Sequence, residues 1–477
     1  MLLAIPLSRN GEPLFRQVYL GLRDAIRAGA FRGGEKLPAT RELSEQLGVS
    51  RTVVLLAYDQ LLAEGYAEGR PGSGTYVAQG LGAGRSAPSA AAVRLRLSRF
   101  GAAAALAWAQ MDFPGRRPRA LPYDFAYGRG DLQSFPFETW RRLLLRSARQ
   151  APVAELDYGP ANGCAELREA VCAHLRRSRA VACDASQVVI VNGSQQALDL
   201  IARVLINPGD RVAIEDPSYQ GTREALRAAR ARLLPVAVDR EGLDPARLPA
   251  RARLAFVTPS HQFPTGATLP LARRLDLLAW ARQSGAVVVE DDYDGEFRYE
   301  GQRLESLQGL DREGRVLYVG TFSRTIFAAL RVGYLVAPRR LVTAFTAAKW
   351  LADRHTATLE QKTLAAFIAG GMYERYLRSL QRRNAARRQA LLAAIGGELG
   401  GRVEMTGGGA GAHVVLWPTR RVAEDRVIAA AAARGVGIYG ISPYYLKPPA
   451  RAGFILGYAR LGESEIREGI RRLGAVL

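Results

Sequence analysis

Apolar residues recur at four-residue steps near the start of the chain. In PLFRQVYLGLRDAIRAG, Leu14, Val18, Leu22 and Ile26 define one face of a helix. Gly29 and the run GAFRGGEKLP end it. The stretch TRELSEQLGVSRTVVLLAYDQLLAEGY predicts two more helices. Thr40 reads as the N-cap of the first, with Glu42 close behind and Leu43 and Leu47 on one face. LGVS forms a tight turn at Gly48, Ser50 caps the next helix, and Val53, Ala57 and Leu61 form its inner face. Two short helices across such a turn are a helix-turn-helix. YAEGRPGSGTYVA then reads as strand, Gly/Pro turn, strand: a wing.

Residues 79–120, rich in Gly, Ala, Ser, Pro and Arg, have no clean period and read as a largely flexible linker. Positions 90–109 have room for a short helix. A flexible chain of this length has an r.m.s. reach of roughly 35 Å. From residue 121 to 477 helix and strand patterns alternate. QVVIVNGSQQALDL, DRVAIEDPSY, ARLAFVTPSHQ, GAVVVEDDYD and GRVLYVGTFSR each hold an apolar run that ends in polar residues. Strands buried on both faces read this way, and helices between them imply a parallel sheet. The expected architecture is therefore multidomain: an N-terminal all-α winged helix-turn-helix over residues 1–78, the linker, and a C-terminal α/β domain over 121–477.

The length fits more than one core. No run of about 18 apolar residues appears, and no basic leader precedes the apolar start MLLAIPL, so a cytoplasmic protein without membrane association is expected. Three cysteines and four histidines show no metal spacing, so no metal is expected. The formal charge of +21 favours an anionic partner. Its distribution does not mark the DNA-reading surface. Residues 1–78 hold nine Lys/Arg against eight Asp/Glu, and residues 79–120 hold seven against one. The nucleic-acid argument rests on the motif instead. Arg51 and Thr52 stand at the exposed start of the second helix of the motif, behind Ser50, where a recognition helix meets the major groove. Arg41 can reach a phosphate, and Gly72 and Gly74 let the wing backbone approach a duplex.

In the α/β region the polar clusters sit where ligands of parallel sheets bind, beyond the carboxyl ends of the strands: Asn192–Gln196, Ser218–Tyr219, His261–Gln262, Asp291–Tyr293 and Thr321–Arg324. Five such ends suggest one shared site. Gly193, Ser194 and Gln195 open a helix at a glycine turn, whose free N–H groups favour a phosphate. Tyr219 offers a face to a flat ring. Asp291 can keep a ring nitrogen protonated, and Tyr293 can hydrogen-bond a phenolate oxygen. Arg331 can clamp a phosphate, with Thr321 and Ser323 adding hydroxyls.

These stretches carry two resemblances. GEKLPATRELSEQLGVSRTVV through GSGTYVA resembles the winged helix of GntR-type bacterial regulators. VNGSQQALDL, EDPSYQG, TPSHQFPTG, EDDYDGEFRY and GTFSR with RVGY resemble a fold-type I aminotransferase. The two together, in this order, resemble the MocR-type regulators. The resemblance implies a homodimer that binds double-stranded operator DNA, with pyridoxal 5'-phosphate (PLP) as cofactor. It implies Asp291 as partner of the ring nitrogen, Tyr293 as phenolate partner, and Tyr219 as stacking ring. Thr321, Ser323 and Arg331 become phosphate ligands. Tyr158, in DYGPANG, would reach the neighbouring subunit's phosphate. Arg451 and Arg460 are its two candidates for holding a substrate carboxylate.

At one position the chain departs from that pattern. The Schiff-base lysine is expected where Arg324 stands. Lysine loses its proton when buried, whereas a guanidinium with a pKa above about 12 keeps its charge, so it neither anchors PLP nor shuttles a proton as a neutral base. Three readings stay open: PLP or a PLP–amine adduct bound non-covalently, another anionic metabolite with Arg324 as an added cation, or a ligand-free dimeric scaffold. The expected function is a ligand-responsive transcription regulator, not an enzyme. The competing class is an aminotransferase with a DNA-binding appendage, for which Lys349 or Lys362 would have to replace the missing lysine.

Overall fold

The computed structural model describes residues 5–8, 11–81, 96–111, 113–114, 121–302 and 304–477. They fall into two compact units, Met1–Arg96 and Leu97–Leu477.

In the first unit, helix α1 (Leu14–Arg27) buries Val18, Tyr19, Leu22 and Ile26. Helix α2 (Thr40–Leu47) ends at Gly48, whose left-handed backbone (φ 61°) makes the turn at little steric cost. Thr40 is the first helical residue; Ala39 occupies the cap position without a side-chain bond. Ser50 does cap helix α3 (Arg51–Ala63), its hydroxyl oxygen accepting from the Val53 N–H at 3.4 Å. The inner face of α3 is Val54, Ala57, Tyr58 and Leu61. Val53 is only half-buried, because the face follows the 3.6-residue turn and not a strict four-residue step. Strands β1 (Ala67–Arg70) and β2 (Gly74–Val77) pair antiparallel as the wing.

In the second unit, helix α4 (Arg99–Gln110) lies within the stretch read as linker. Its Phe100 ring centre stands 5.5 Å from the Arg203 guanidinium. Residues 82–95 and 115–120 lie outside the described residues. Strand β3 (Tyr123–Asp124) follows, then helices α5 (Phe137–Gln150) and α6 (Ala165–Arg179). The central sheet is built from β4 (Val188–Val191), β5 (Arg211–Asp216), β6 (Arg232–Asp239), β7 (Gly242–Leu243), β8 (Leu254–Val257), β9 (Val287–Asp291), β10 (Val316–Thr321) and β11 (Gly333–Val336). Their order is β4-β11-β10-β9-β8-β5-β6-β7. Helices α7 (Ser194–Leu205), α8 (Gln220–Ala228) and α9 (Leu271–Ser284) connect strands.

The expected parallel sheet needs one correction: β11 runs antiparallel between β10 and β4, and the short β7 runs against β6. Only residues 322–332 join β10 to β11, too few for a parallel crossover, which takes a dozen or more residues. Strands β4, β5, β8, β9 and β10 share one direction, so the five polar clusters do meet at one edge. Apart from the half-buried Val287, the apolar residues of β4, β8, β9, β10 and β11 are buried in the core.

The short α10 (Leu307–Leu310) lies between β9 and β10, and after the sheet come α11 (Arg339–Asp353), α12 (Thr358–Ala369) and the long α13 (Met372–Leu399). A smaller sheet of β12 (Val403–Thr406), β13 (His413–Pro418), β15 (Tyr439–Gly440) and β16 (Phe454–Gly457) packs with α13 around a separate core. Strand β14 (Val436–Gly437) pairs with β3.

Candidate functional site

One end of the site is built by close backbone approach. A Cβ on Gly333 would come within 3.0 Å of Gly193 Cα, and one on Gly193 within 2.6 Å of Arg331 Nη2. These glycines bring the start of α7 against the loop that carries Arg331. Arg331 itself takes a left-handed backbone, φ 53°, and donates from Nη2 to the Asn192 carbonyl at 2.7 Å. Across the sheet, Thr321 pairs with Gly333, which pairs with Val191. The Ser323 N–H donates to Thr321 Oγ1 at 3.1 Å, and the Thr321 hydroxyl to Ser323 Oγ at 3.0 Å. Gln195 donates to the Gly221 carbonyl at 3.0 Å, which ties the start of α7 to α8 and to Tyr219 before it. Ser194 is half-buried at the first position of α7. Helix N-terminus, guanidinium and hydroxyls form a cradle suited to an anion.

Asp291 ends β9, buried, and its Oδ1 has no hydrogen-bond partner. Burial first, then the Asp292 charge, push its carboxyl up to about 7, against an opposing pull from Arg324. The Tyr219 hydroxyl is raised by burial and feels Arg324, Asp291 and Arg331 together, although the residue as a whole is 39 % exposed. Arg324, Asp291 and Arg331 therefore lie within electrostatic reach of Tyr219.

Tyr293 lies beneath Arg324, with the guanidinium carbon 5.4 Å from its ring centre. Its hydroxyl pairs with His261 Nδ1 at 3.0 Å, and the same nitrogen lies 3.0 Å from Asp294 Oδ2. His413 packs against His261, ring centres 4.9 Å apart, and its Nε2–H donates to the Pro264 carbonyl. Burial, then His261, push the His413 imidazole down to about 3, so it is neutral at ordinary pH. Ligating atoms of His261, Asp294 and His413 fall within 4.8 Å of one another, a grouping that no short sequence spacing announces. A buried layer below includes Glu215, which accepts from Thr258 Oγ1 at 2.7 Å and Gln262 Nε2 at 3.1 Å.

Other predicted residues stand apart. Tyr158 is 72 % exposed and packs against Arg354, at 4.6 Å. Arg451 is engaged with Glu404 and the Trp417 and Pro418 carbonyls. Arg460 is exposed. Neither alternative lysine is free. Lys349 is buried and bonded to Asp353 at 2.5 Å, whose other oxygen accepts from Asn192 and Gln196. Lys362 pairs with Glu155 and Glu166.

In the N-terminal unit, Arg41, Arg51 and Thr52 are exposed, and Arg51 Nε reaches Thr40 Oγ1 at 3.3 Å. Gly74 has φ 118°, and a Cβ there would meet Lys36 Cε at 2.9 Å. Sequence reasoning missed Lys36 and Arg70, which flank the Tyr76 ring at 5.9 and 4.2 Å. Arg70 stands two residues before Gly72 in the sequence, whereas Lys36 reaches the wing only in the fold.

Two families match the chain: "Aminotransferase class I and II" over residues 127–473 and "Bacterial regulatory proteins, gntR family" over residues 14–77. The chain is 38 % identical to "Probable rhizopine catabolism regulatory protein MocR" of Rhizobium meliloti, over 98 % of this chain and 94 % of that protein. It is 35 % identical to the transcriptional regulator TauR of Rhodobacter capsulatus, over 95 % and 94 %. Among solved structures, LysN, the α-aminoadipate aminotransferase of Thermus thermophilus, complexed with N-(5'-phosphopyridoxyl)-L-leucine, matches with a TM-score of 0.69 and 32 % identity. That match covers 74 % of this chain and 92 % of LysN. Among the described residues no helix is long and apolar enough to cross a membrane. The chain belongs to the MocR-type regulators, DNA-binding transcription regulators in which a gntR-family winged helix-turn-helix precedes a fold-type I aminotransferase-like domain.

Proposed function

We propose that this regulator senses PLP, or a PLP–amine adduct, held non-covalently at the sheet edge, and does not transaminate. The observation that carries the reading is the buried, unpartnered Oδ1 of Asp291. A protonated ring nitrogen would satisfy it, and an unsatisfied buried acceptor costs about 1–3 kcal/mol. Tyr219 would stack on the ring, while the start of α7 with Ser194 and Gln195, Thr321, Ser323 and Arg331 would hold the phosphate. His261 would orient Tyr293 toward the phenolate side. PLP supplies an aldehyde and an electron-withdrawing ring. Arg324, in the place of the covalent anchor, would set a guanidinium beside the aldehyde instead of a nucleophilic amine. Lys349 and Lys362 are committed to carboxylates, which supports the non-enzymatic reading over an aminotransferase with a DNA-binding appendage.

Arg51, Thr52, Ser50, Arg41 and the wing at Gly74 would meet operator DNA. Two chains would form a homodimer, with the exposed Tyr158 reaching the partner's phosphate. Residues 79–120 would join the DNA-binding unit, residues 1–78, to the effector domain, residues 121–477, and such a regulator works in the cytoplasm. Effector binding changes DNA binding only if it favours one arrangement of the heads. Footprinting on DNA upstream of the chain's own gene tests this. The protected span or affinity shifts when PLP and amino acids are added; an unchanged footprint at saturating PLP would overturn the sensing role.

A further inference from the structure

The segment that lines the Asp291 site continues into the wall of a second cavity. Asp291 and Tyr293 belong to the first; Gly295, Glu296, Arg298 and Tyr299 bound a cleft of about 800 Å³ whose other walls are the end of α6 and the first two-thirds of α13. The volume lies in the range of small-molecule sites, roughly 300–1,000 Å³. Gln381 on α13 donates to the Glu296 carbonyl at 2.7 Å, which fixes the two walls to each other.

The lining is strongly cationic: six arginines against two glutamates. Three arginines are answered. Arg177 pairs with Glu374 at 3.1 Å, Arg179 with Asp292 at 2.7 Å, and Arg388 with Glu300. Arg298, Arg378 and Arg382 have no carboxylate within ion-pair distance among the described residues. Glu296, the other acid in the wall, is pushed up to about 8 by burial and the nearby Asp292 charge, so it carries little negative charge at neutral pH. The Arg298 Nε–H is buried without an acceptor, and burial and Arg179 both depress that guanidinium. Arg378 and Arg382 are one turn apart on α13, where like charges repel. Each feature is unfavourable by itself, and an anion would relieve each. Guanidinium forks bind carboxylates and phosphates in bidentate fashion.

We propose that this cleft is a second ligand site, for a small organic polyanion bearing two or more carboxylate or phosphate groups, held by Arg298, Arg378 and Arg382. Because its wall is the continuation of the Asp291–Tyr293 strand end, occupancy bears on the same segment from behind. The concave shape favours a small molecule over a duplex backbone.

The test is calorimetry on the full chain with pyrophosphate and, separately, citrate. One site per chain is expected for at least one of them; which one binds separates phosphate from carboxylate recognition. Arg378→Ala/Arg382→Ala, two exposed positions on α13, is expected to weaken that binding at least tenfold with the melting temperature kept. Arg331→Ala, which disrupts the other anion cradle, is expected to leave it unchanged. Absence of binding by both anions overturns the proposal. So does binding that survives the double substitution, or binding lost only in Arg331→Ala. Loss of operator affinity in the double variant, with no anion bound by the natural chain, would assign the cleft to DNA instead.

Discussion

The Arg324 guanidinium rests over the ring of Tyr293, 5.4 Å from its centre. Gly128 makes room for it: a Cβ there would stand 2.8 Å from Arg324 Nη1. The cation also opposes burial in setting the Asp291 carboxyl. Arginine at 324 is thus accommodated by the surrounding side chains, with a glycine and an aromatic face beside it.

Arg324→Lys is expected to create a covalent PLP adduct that borohydride traps, read as a mass increase on the intact chain. A lysine there can lose its proton, because burial and neighbouring cations lower its pKa. No adduct in this variant would mean that the rest of the cradle does not hold PLP.

Asp291→Asn separates cofactor binding from stability. A carboxyl raised by the fold from 3.8 to about 7 keeps a proton that the unfolded chain has already released. Its stabilisation is complete below pH ~4 and is lost as pH rises through about 7. Glu215, at about 7, and Glu296, at about 8, act in the same direction. The melting temperature of the ligand-free protein is expected to fall between pH 5 and 8. The substitution removes the Asp291 share of that slope, on the order of 2–4 kcal/mol, and weakens PLP binding. An unaltered slope would contradict the assigned burial of Asp291.

Much of this was legible locally. Helix faces, the wing and the apolar runs ending in polar clusters carry their signal within ten or fifteen residues, and β4, β5, β8, β9 and β10 gathered those clusters at one edge. The direction of β11 was not legible from its own residues, since the length of 322–332 decides it. Contacts between distant positions were hidden: His261 with His413, Asp353 with Asn192, Arg179 with Asp292. Arg451, one of two arginines that the resemblance offers for a carboxylate, braces Glu404 and the Trp417 carbonyl, contacts that its own stretch of sequence does not announce.

Arg179→Met is expected to destabilise the aminotransferase-like domain by about 3–5 kcal/mol, because it leaves a buried carboxylate without its counter-charge. Arg179 is buried and bonded to Asp292 at 2.7 Å, with Tyr318 also on that carboxylate. The urea midpoint measures it; a loss below about 1 kcal/mol would place the pair in solvent.

Arg51→Ala is expected to cost about 1–3 kcal/mol in specific operator binding, read by fluorescence anisotropy, with PLP binding unchanged. Equal affinity would remove Arg51 from the DNA-reading surface.

The central claim is a cofactor site kept without its covalent anchor. The most direct measurement is a PLP titration of the natural protein, followed by absorption before and after borohydride and then by dialysis. Saturable, one-per-chain binding that dialysis reverses and borohydride does not fix to the chain is expected. No saturable uptake, or a borohydride-fixed adduct on the natural chain, would contradict it.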